Sequence, residues 1–452
     1  MTAPSPTGGR VGASYFVPGV RVFKLAATLA EGPETGEPLA DDVAAEILRV
    51  EVTRVNSGSC QYSITFNNWF TSTATDRRGP QAVGAGEVAG RDRPLWPRFK
   101  YNSFDLVKFG DRLRIDLRYW PEASADDGGG PVDAREWVPM ISGPITDMRF
   151  VFGAEGSTVV ITGEDDLSTL KDRHNERHEF GQVAEGQLTQ RVLDLARYPL
   201  PIAHTSALSL PSFATGSQAP AEALGEDQSY LDYLQKIADK LDCEVFIEYA
   251  DLTDPESGVT FHFEPARCAL PPDDANADLF RLARDRNLIS FQPTIKVLDM
   301  PTSVQVSGRH LDPRRAERVM EQATADELRH ELFPASGPNA PIAAPSVRQH
   351  FFPGRENRLN LPNTTNLDNE RGRFLARTKL CQKAREFMVI EATTVGLPRL
   401  RPGAHVEITG MRPPFDGFYY LTRTIHSIGP DGYRTKLTAR RPGMPLPPYQ
   451  EP

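Results

Sequence analysis

Residues 410–441 read GMRPPFDGFYYLTRTIHSIGPDGYRTKLTARR, and the fold turns on this stretch. Two runs rich in aromatic and β-branched residues flank Gly429-Pro430-Asp431-Gly432, so the pattern predicts an antiparallel hairpin that turns there. FYYLTRTI alternates Phe418, Tyr420 and Thr422 with Tyr419, Leu421 and Arg423, placing large side chains on both faces of one strand. One face suits a core and the other a partner. Exposed strand edges invite pairing, so the hairpin is a candidate for contact between copies in a ring, with Phe418 and Tyr420 as candidate interface residues. His426 reads as a satisfied core histidine and not as a titrating switch.

The same period-two pattern recurs upstream. Leu48, Val50 and Val52 alternate with Arg49, Glu51 and Thr53, and Asn-Ser-Gly-Ser turns the chain into Tyr62, Ile64 and Phe66. After a Gly- and Arg-rich loop over about 71–98, FDLVKFGDRLRIDLRYW places Leu113, Ile115, Leu117 and Tyr119 on one side and Arg112, Arg114, Asp116 and Arg118 on the other, with Gly110-Asp111 as the turn. GPITDMRFVF and STVVITG follow a second loop at 126–130. About six antiparallel strands by residue 163 predict a barrel or sandwich.

The middle of the chain changes character. Asp165 or Asp166 is placed to cap a short helix through LSTLKDR. GQLTQRVLDLARY is amphipathic, and QSYLDYLQKIADKLDC puts Leu231, Leu234, Ile237, Ala238 and Leu241 at helical spacing. CEVFIEY and VTFHFEP form a further hairpin. VLDMPTSVQVSG then resumes strands, DPRRAERVMEQATADELRH reads as a polar helical piece, and a helix is predicted from Glu370 to Met388. Its apolar stripe is Phe374, Cys381, Ala384, Phe387 and Met388, and its solvent face carries Arg371, Arg373, Arg377, Lys379, Lys383 and Arg385. The predicted order is an N-terminal arm (1–40), a first β-barrel domain (41–165), a helical α+β insertion (166–295), a second β-barrel domain with its own helical insertion (296–442) and a Pro-rich tail (443–452). The fold class is therefore β-rich α+β, two barrel-like antiparallel domains with α+β insertions.

Composition narrows function. The chain has 452 residues, enough for several cores, and no run of about 18 apolar residues to span a bilayer. The N-terminus lacks a basic start followed by an apolar run, so synthesis in the cytoplasm is expected. Cys60, Cys243, Cys268 and Cys381 form no CxxC pair and read as core or surface thiols, without a structural zinc site or a disulfide framework. A formal net charge of -9 argues against general nucleic-acid binding. Charge is unevenly spread: Glu222–Arg286 has 16 acidic and 6 basic residues, a balance of -10, whereas Glu370–Arg441 has 6 acidic and 14 basic, a balance of +8. Opposed potentials of this kind suit docking or self-association, with Arg373, Arg377 and Lys383 as candidate interface residues.

Chemistry-bearing motifs are few. RHNERHE spaces His174 and His178 four apart, but Glu176 is displaced from the HExxH position and no third ligand stands nearby. GEDD at 163–166 and GPDGY at 429–433 lack the alternating oxygens of a calcium loop. Asp126-Asp127 and Asp273-Asp274 lie in Gly- or Pro-rich loops and read as solvated. No catalytic residue, metal ligand set or cofactor is expected. The alternatives are a particle-tip metal-dependent peptidase using His174, Glu176 and His178, or a carbohydrate-binding β module, although Trp69, Trp96, Trp120 and Trp137 form no obvious aromatic platform.

FGDRLRID (109–116), SGPITD (142–147), ITGEDDLSTL (161–170), SYLDYLQKIADKLDCEVFIEY and GLPRLRPGAHVEITGM with FDGFYYLTRTIHSIGPDGYRTKLTARR, in this order and spacing, resemble the phage late control gene D protein family over about residues 42–442. Gly110, Asp111, Gly143, Gly163 and Asp165 fall in the N-terminal motifs, and Gly396, Pro402, Gly403, Gly410, Gly417, Tyr419, His426 and Tyr433 in the C-terminal ones. The resemblance implies a structural baseplate hub of a contractile phage tail or injection system. It also implies a homotrimeric ring whose barrels present pseudo-sixfold symmetry to a hexameric inner tube, with a spike and other baseplate proteins as partners. In the valine-glycine repeat members a spike follows the hub; here the sequence stops at RRPGMPLPPYQEP, so a separately encoded spike is expected.

Overall fold

The computed structural model describes residues 18–26, 36–68, 99–118, 137–153, 156–171, 178–179, 185–200, 223–225, 227–252, 254, 257–266, 279–310, 317–324, 327–328 and 341–447. Thirteen strands form one continuous sheet. Its path runs from Leu288–Ile295 through Met388–Val395, Gly432–Arg441, Gly417–Gly429, Ile47–Val55, Gln61–Asn67, Gly156–Glu164, Val138–Gly153, Arg112–Arg118 and Gly19–Leu25 to Gly36–Pro38. His405–Thr409 joins from the side against Gly417–Gly429 and itself pairs in parallel with Leu279–Ala283.

The path divides into two units, and in each the end strands are neighbours in the chain. Gly36–Pro38 and Ile47–Val55 bound the N-terminal unit and are linked through the helical turn Asp41–Ala44. Leu279–Ala283 and Leu288–Ile295 bound the C-terminal unit and are linked by the turn at 284–287. A twisted sheet whose two ends are tied by a short connection curls towards a barrel. The architecture is β-rich α+β, as the alternating pattern predicts.

Between the units lie a 3-10 helix Asp166–Lys171, helices Glu185–Ala196 and Tyr230–Leu241, and the hairpin Cys243–Tyr249 with Val259–Pro265. Ser229 caps the second helix by accepting from the Asp232 amide at 3.0 Å. The predicted stripe of Leu231, Leu234, Ile237, Ala238 and Leu241 is buried. Within the C-terminal half, Ser303–His310 is flanked by Arg318–Thr324 and Arg358–Leu367, and helix Asn369–Arg385 packs on this smaller sheet.

Buried apolar side chains gather in three clusters that follow this division. The terminal hairpin belongs to two of them. Tyr419, Leu421, Leu437 and Ala439 lie in the C-terminal cluster, whereas Tyr433, with Ile428 against it, lies in the N-terminal one. Strand Gly417–Gly429 also divides one of its edges. His405–Thr409 pairs with residues 417–420, a register shift follows between Leu421 and Arg423, and Ile47–Val55 pairs with residues 423–428. The edge expected to meet a neighbouring copy is thus filled by the chain's own first unit.

Several expectations are corrected. Gly19–Leu25 lies in the predicted arm yet pairs along its length with Arg112–Arg118, and Leu279–Ala283 and Leu288–Ile295 lie in the predicted insertion yet belong to the C-terminal unit. RVMEQAT at 318–324 is a strand and not a helix, because it completes a ladder with Ser303–His310. Met388 starts a strand after the helix ends at Arg385. Arg112, Arg114 and Asp116 are buried. Arg112 grips Asp166, Arg114 pairs with Asp116 at 3.1 Å and lies over the Phe23 ring. Paired charge and aromatic faces make that burial tolerable.

Gly143 marks a point where two strands nearly touch: a Cβ there would lie 1.9 Å from the Glu164 carbonyl oxygen. Gly143→Ala is therefore expected to cost at least about 2 kcal/mol through forced backbone shifts. Thermal or denaturant unfolding measures it, and an unchanged midpoint would contradict the tight crossing.

Candidate functional site

Hairpin Cys243–Tyr249 sends Val245, Ile247 and Tyr249 into the insertion's own core, so the pleat turns Glu244, Phe246 and Glu248 to the opposite face. That face meets both β units. Glu244 is buried and accepts from the Tyr420 hydroxyl at 2.5 Å, the Asn56 side-chain amide at 2.5 Å and Arg440 Nη2 at 3.3 Å. Glu248 sits between Arg54 of the N-terminal unit, at 3.2 Å, and Arg401 of the C-terminal unit, at 2.9 Å. The Gly58 amide donates to the Val245 carbonyl at 2.7 Å, adding a backbone bond across the same seam.

Asp242 extends the junction. It caps helix Tyr230–Leu241 in the left-handed region at φ 59, which an aspartate tolerates better than most residues. Its carboxylate receives a two-pronged contact from Arg385 at 2.6 and 2.5 Å. Arg385, predicted on a solvent face, is buried here instead. The acidic and basic stretches of the sequence therefore meet inside one chain. Burial raises the Glu244 carboxyl above its ordinary range, opposed by the Tyr420 hydrogen bond and the Arg440 charge.

The second polar cluster lies where the first unit passes into the insertion. Asp165 is buried and accepts from the Cys60 amide and the Ser59 hydroxyl, each at 2.8 Å. Its carboxylate thus holds the connection between Ile47–Val55 and Gln61–Asn67, and not the first turn of the short helix as predicted. Burial pushes it up to about 7. Asp166 takes Arg112 Nε at 3.1 Å and Nη2 at 2.5 Å. Gly163 lies under Tyr62, whose ring a Cβ would meet at 2.2 Å. Asp111 holds Lys24 at 2.7 Å and accepts from the Lys108 amide, and Gly110 forms the turn before it.

Among the C-terminal motif residues, His426 is fully buried between two partners. Its Nε2 donates to the Leu400 carbonyl at 2.9 Å, which leaves Nδ1 to accept from the Tyr433 hydroxyl at 2.8 Å. Burial drives its pKa down to about 3, with the Arg54 charge adding to the fall. Gly396 lies against Tyr433, where a Cβ would stand 2.2 Å from the ring. Tyr419 donates to the Phe415 carbonyl at 2.6 Å. Pro402 and Gly403 form a turn whose Gly403 amide reaches the Leu421 carbonyl, Gly410 ends the strand at 405–409, and Gly417 opens the long strand.

The remaining predicted positions are dispersed. Tyr420 faces the junction and is buried, so it is withdrawn from any contact between copies; Phe418 is half-buried. Arg373 is exposed with Glu327 at 3.8 Å, Lys383 lies 3.2 Å from Glu386, and Arg377 is half-buried. His178 is in a two-residue strand paired with Ala223–Leu224, while His174 and Glu176 lie outside the described residues, as do Trp69, Trp96 and Trp120. Trp137 is clasped by Arg21 at 3.8 Å and Arg118 at 4.4 Å. Glu244, Glu248 and Asp242 are visible in the sequence only as charge bias, and Arg54 not at all, since their partners lie far along the chain.

Neither a protein-family model nor a curated protein matches the sequence. The structure is similar to a 43 kDa tail protein of prophage MuSo2 from Shewanella oneidensis at 11% identity, covering 94% of this chain and 98% of that one, with a TM-score of 0.53. A tail protein from Neisseria meningitidis MC58 is similar at 11% identity over 94% and 96% of the two chains, TM-score 0.52. A chain of a lidless PdpA–VgrG complex is similar at 8% identity over 97% of this chain and 67% of that one, TM-score 0.50. The fold is that of phage tail proteins.

Two outcomes test the junction. Tyr420→Phe leaves the buried Glu244 carboxylate short of one donor and is expected to cost about 1–3 kcal/mol, read as a lower denaturation midpoint. For His426, the unfolded chain takes up a proton near pH 6.5 that the folded one refuses until about pH 3. Stability should therefore fall by up to about 1.4 kcal/mol per unit as pH drops through that window. Asp165 acts in the opposite sense, its protonated form stabilising the fold below about pH 7. The difference between the wild-type chain and His426→Gln isolates the histidine, and a difference constant from pH 7 to pH 4 would refute its neutral burial.

Proposed function

We propose that this chain is a structural baseplate hub protein of a phage tail or contractile injection system, without an active site of its own. Three copies form a ring that joins a hexameric inner tube to a spike. The observation that carries the reading is the extent of the shared fold: it runs over 94% of this chain and 98% of a tail protein, so the likeness is not confined to one common module. Two barrel-like units per copy give a trimer six, a number that matches a hexameric tube. The polar groups described above support a mechanical role. Glu244, Asp165 and His426 are buried, each against partners in the same chain. In this reading the chain is assembled in the cytoplasm and becomes part of a particle beside other baseplate proteins.

The test is the mass of the purified chain in solution by light scattering. A ring would weigh about 150 kDa, three times the chain mass of 50.1 kDa. A species that stays monomeric at all concentrations, alone and with a spike protein, would sink the hub reading.

A further inference from the structure

The face of the terminal hairpin that points away from both cores carries three cations without an ion-pair partner among the described residues, with Glu51 and Glu391 on the flanking strands of the same face. Along Gly417–Gly429, Thr424 and His426 point inward while Arg423, Ile425 and Ser427 point out; along Gly432–Arg441, Tyr433, Thr435 and Leu437 point inward while Arg434 and Lys436 point out. The register sets Lys436 beside Ile425, Arg434 beside Ser427, and Arg423 beside Val55 of the first unit. Arg423, Arg434 and Lys436 are exposed, and among the described residues none has an ion-pair partner. Other cations of the same basic stretch are already engaged: Arg385 with Asp242, Arg401 with Glu248, Arg440 with Glu244, and Arg373 and Lys383 with Glu327 and Glu386.

We propose that this outer hairpin face, with Arg423, Arg434 and Lys436 around Ile425, is the surface by which one copy of the chain docks onto an acidic surface of the next. The inference rests on the trimeric hub reading and specifies the contact within it. Charge selects the occupant. Residues 370–441 carry +8 of a total of -9, so the rest of each copy carries -17, a net negative charge to which this face is complementary. A contact between two different surfaces is heterologous and closes into a ring when the rotation allows. Half-buried Ile425, with cations at the margin, matches the apolar centre and polar rim of protein interfaces.

The experiment compares the full-length chain with Arg423→Gln/Arg434→Gln/Lys436→Gln and with the corresponding triple Glu variant. Light scattering is recorded between about 0.05 and 0.5 M NaCl, where screening changes most. The wild-type trimer is expected to weaken with salt, the Gln variant to lose most of that salt dependence and associate less, and the Glu variant to be monomeric where the wild type is trimeric. Unchanged circular dichroism and melting midpoints confirm folding, since all three positions are exposed. A Glu variant that remains trimeric overturns this surface while leaving the hub reading intact; a wild-type chain monomeric throughout removes both. Loss of the trimer from Arg373→Glu/Lys383→Glu but not from the hairpin variants would place the contact on helix Asn369–Arg385 and overturn the proposal.

Discussion

Everything in this molecule depends on one strand serving two units. Gly417–Gly429 is bonded along one edge first to His405–Thr409 and then to Ile47–Val55, with the register shift between them letting it change neighbours. A bulge bends and twists a strand locally, so the same backbone can leave one curved sheet and enter another. Because hydrogen bonds run across that boundary, relative rotation of the units would break a ladder, which costs far more than sliding two apolar surfaces.

The insertion then closes the joint. Its hairpin presents carboxylates towards arginines from both units, and Glu248 is held by one from each. Buried ion pairs contribute little net stability against an apolar alternative, but losing one partner is costly, so they specify geometry. Separate apolar cores supply the stability of each part, and the polar seam fixes how the parts sit.

Alternation, turn residues and helical spacing made the strands around Val50, Ile64, Val159 and Leu437 and the helix at 230–241 legible, because local burial on one face dictates each. The residue pattern alone did not reveal which edges meet. Val52 stands opposite His426, a pairing no local period encodes. RVMEQAT reads as helix because its polar residues fit a helix as well as the edge of a small sheet, and the burial of Arg114 and Asp116 is not legible in an alternation that says only which residues share a face. Of the candidate site, the charge imbalance was plain in the sequence; that its two halves would satisfy each other at Glu244, Glu248 and Asp242 depended on tertiary structure.

The pairing of Ile47–Val55 with the hairpin at 417–441 also sets an order of events during synthesis. The first strands leave the ribosome long before their partner exists, so the edge of Ile47–Val55, with its regularly spaced valines, waits unpaired while most of the chain is made. Exposed edges of that kind are where nascent proteins stick to one another. Completion of the N-terminal sheet therefore waits on residues 423–428, and the stretch of chain between the two strands is made with that edge open.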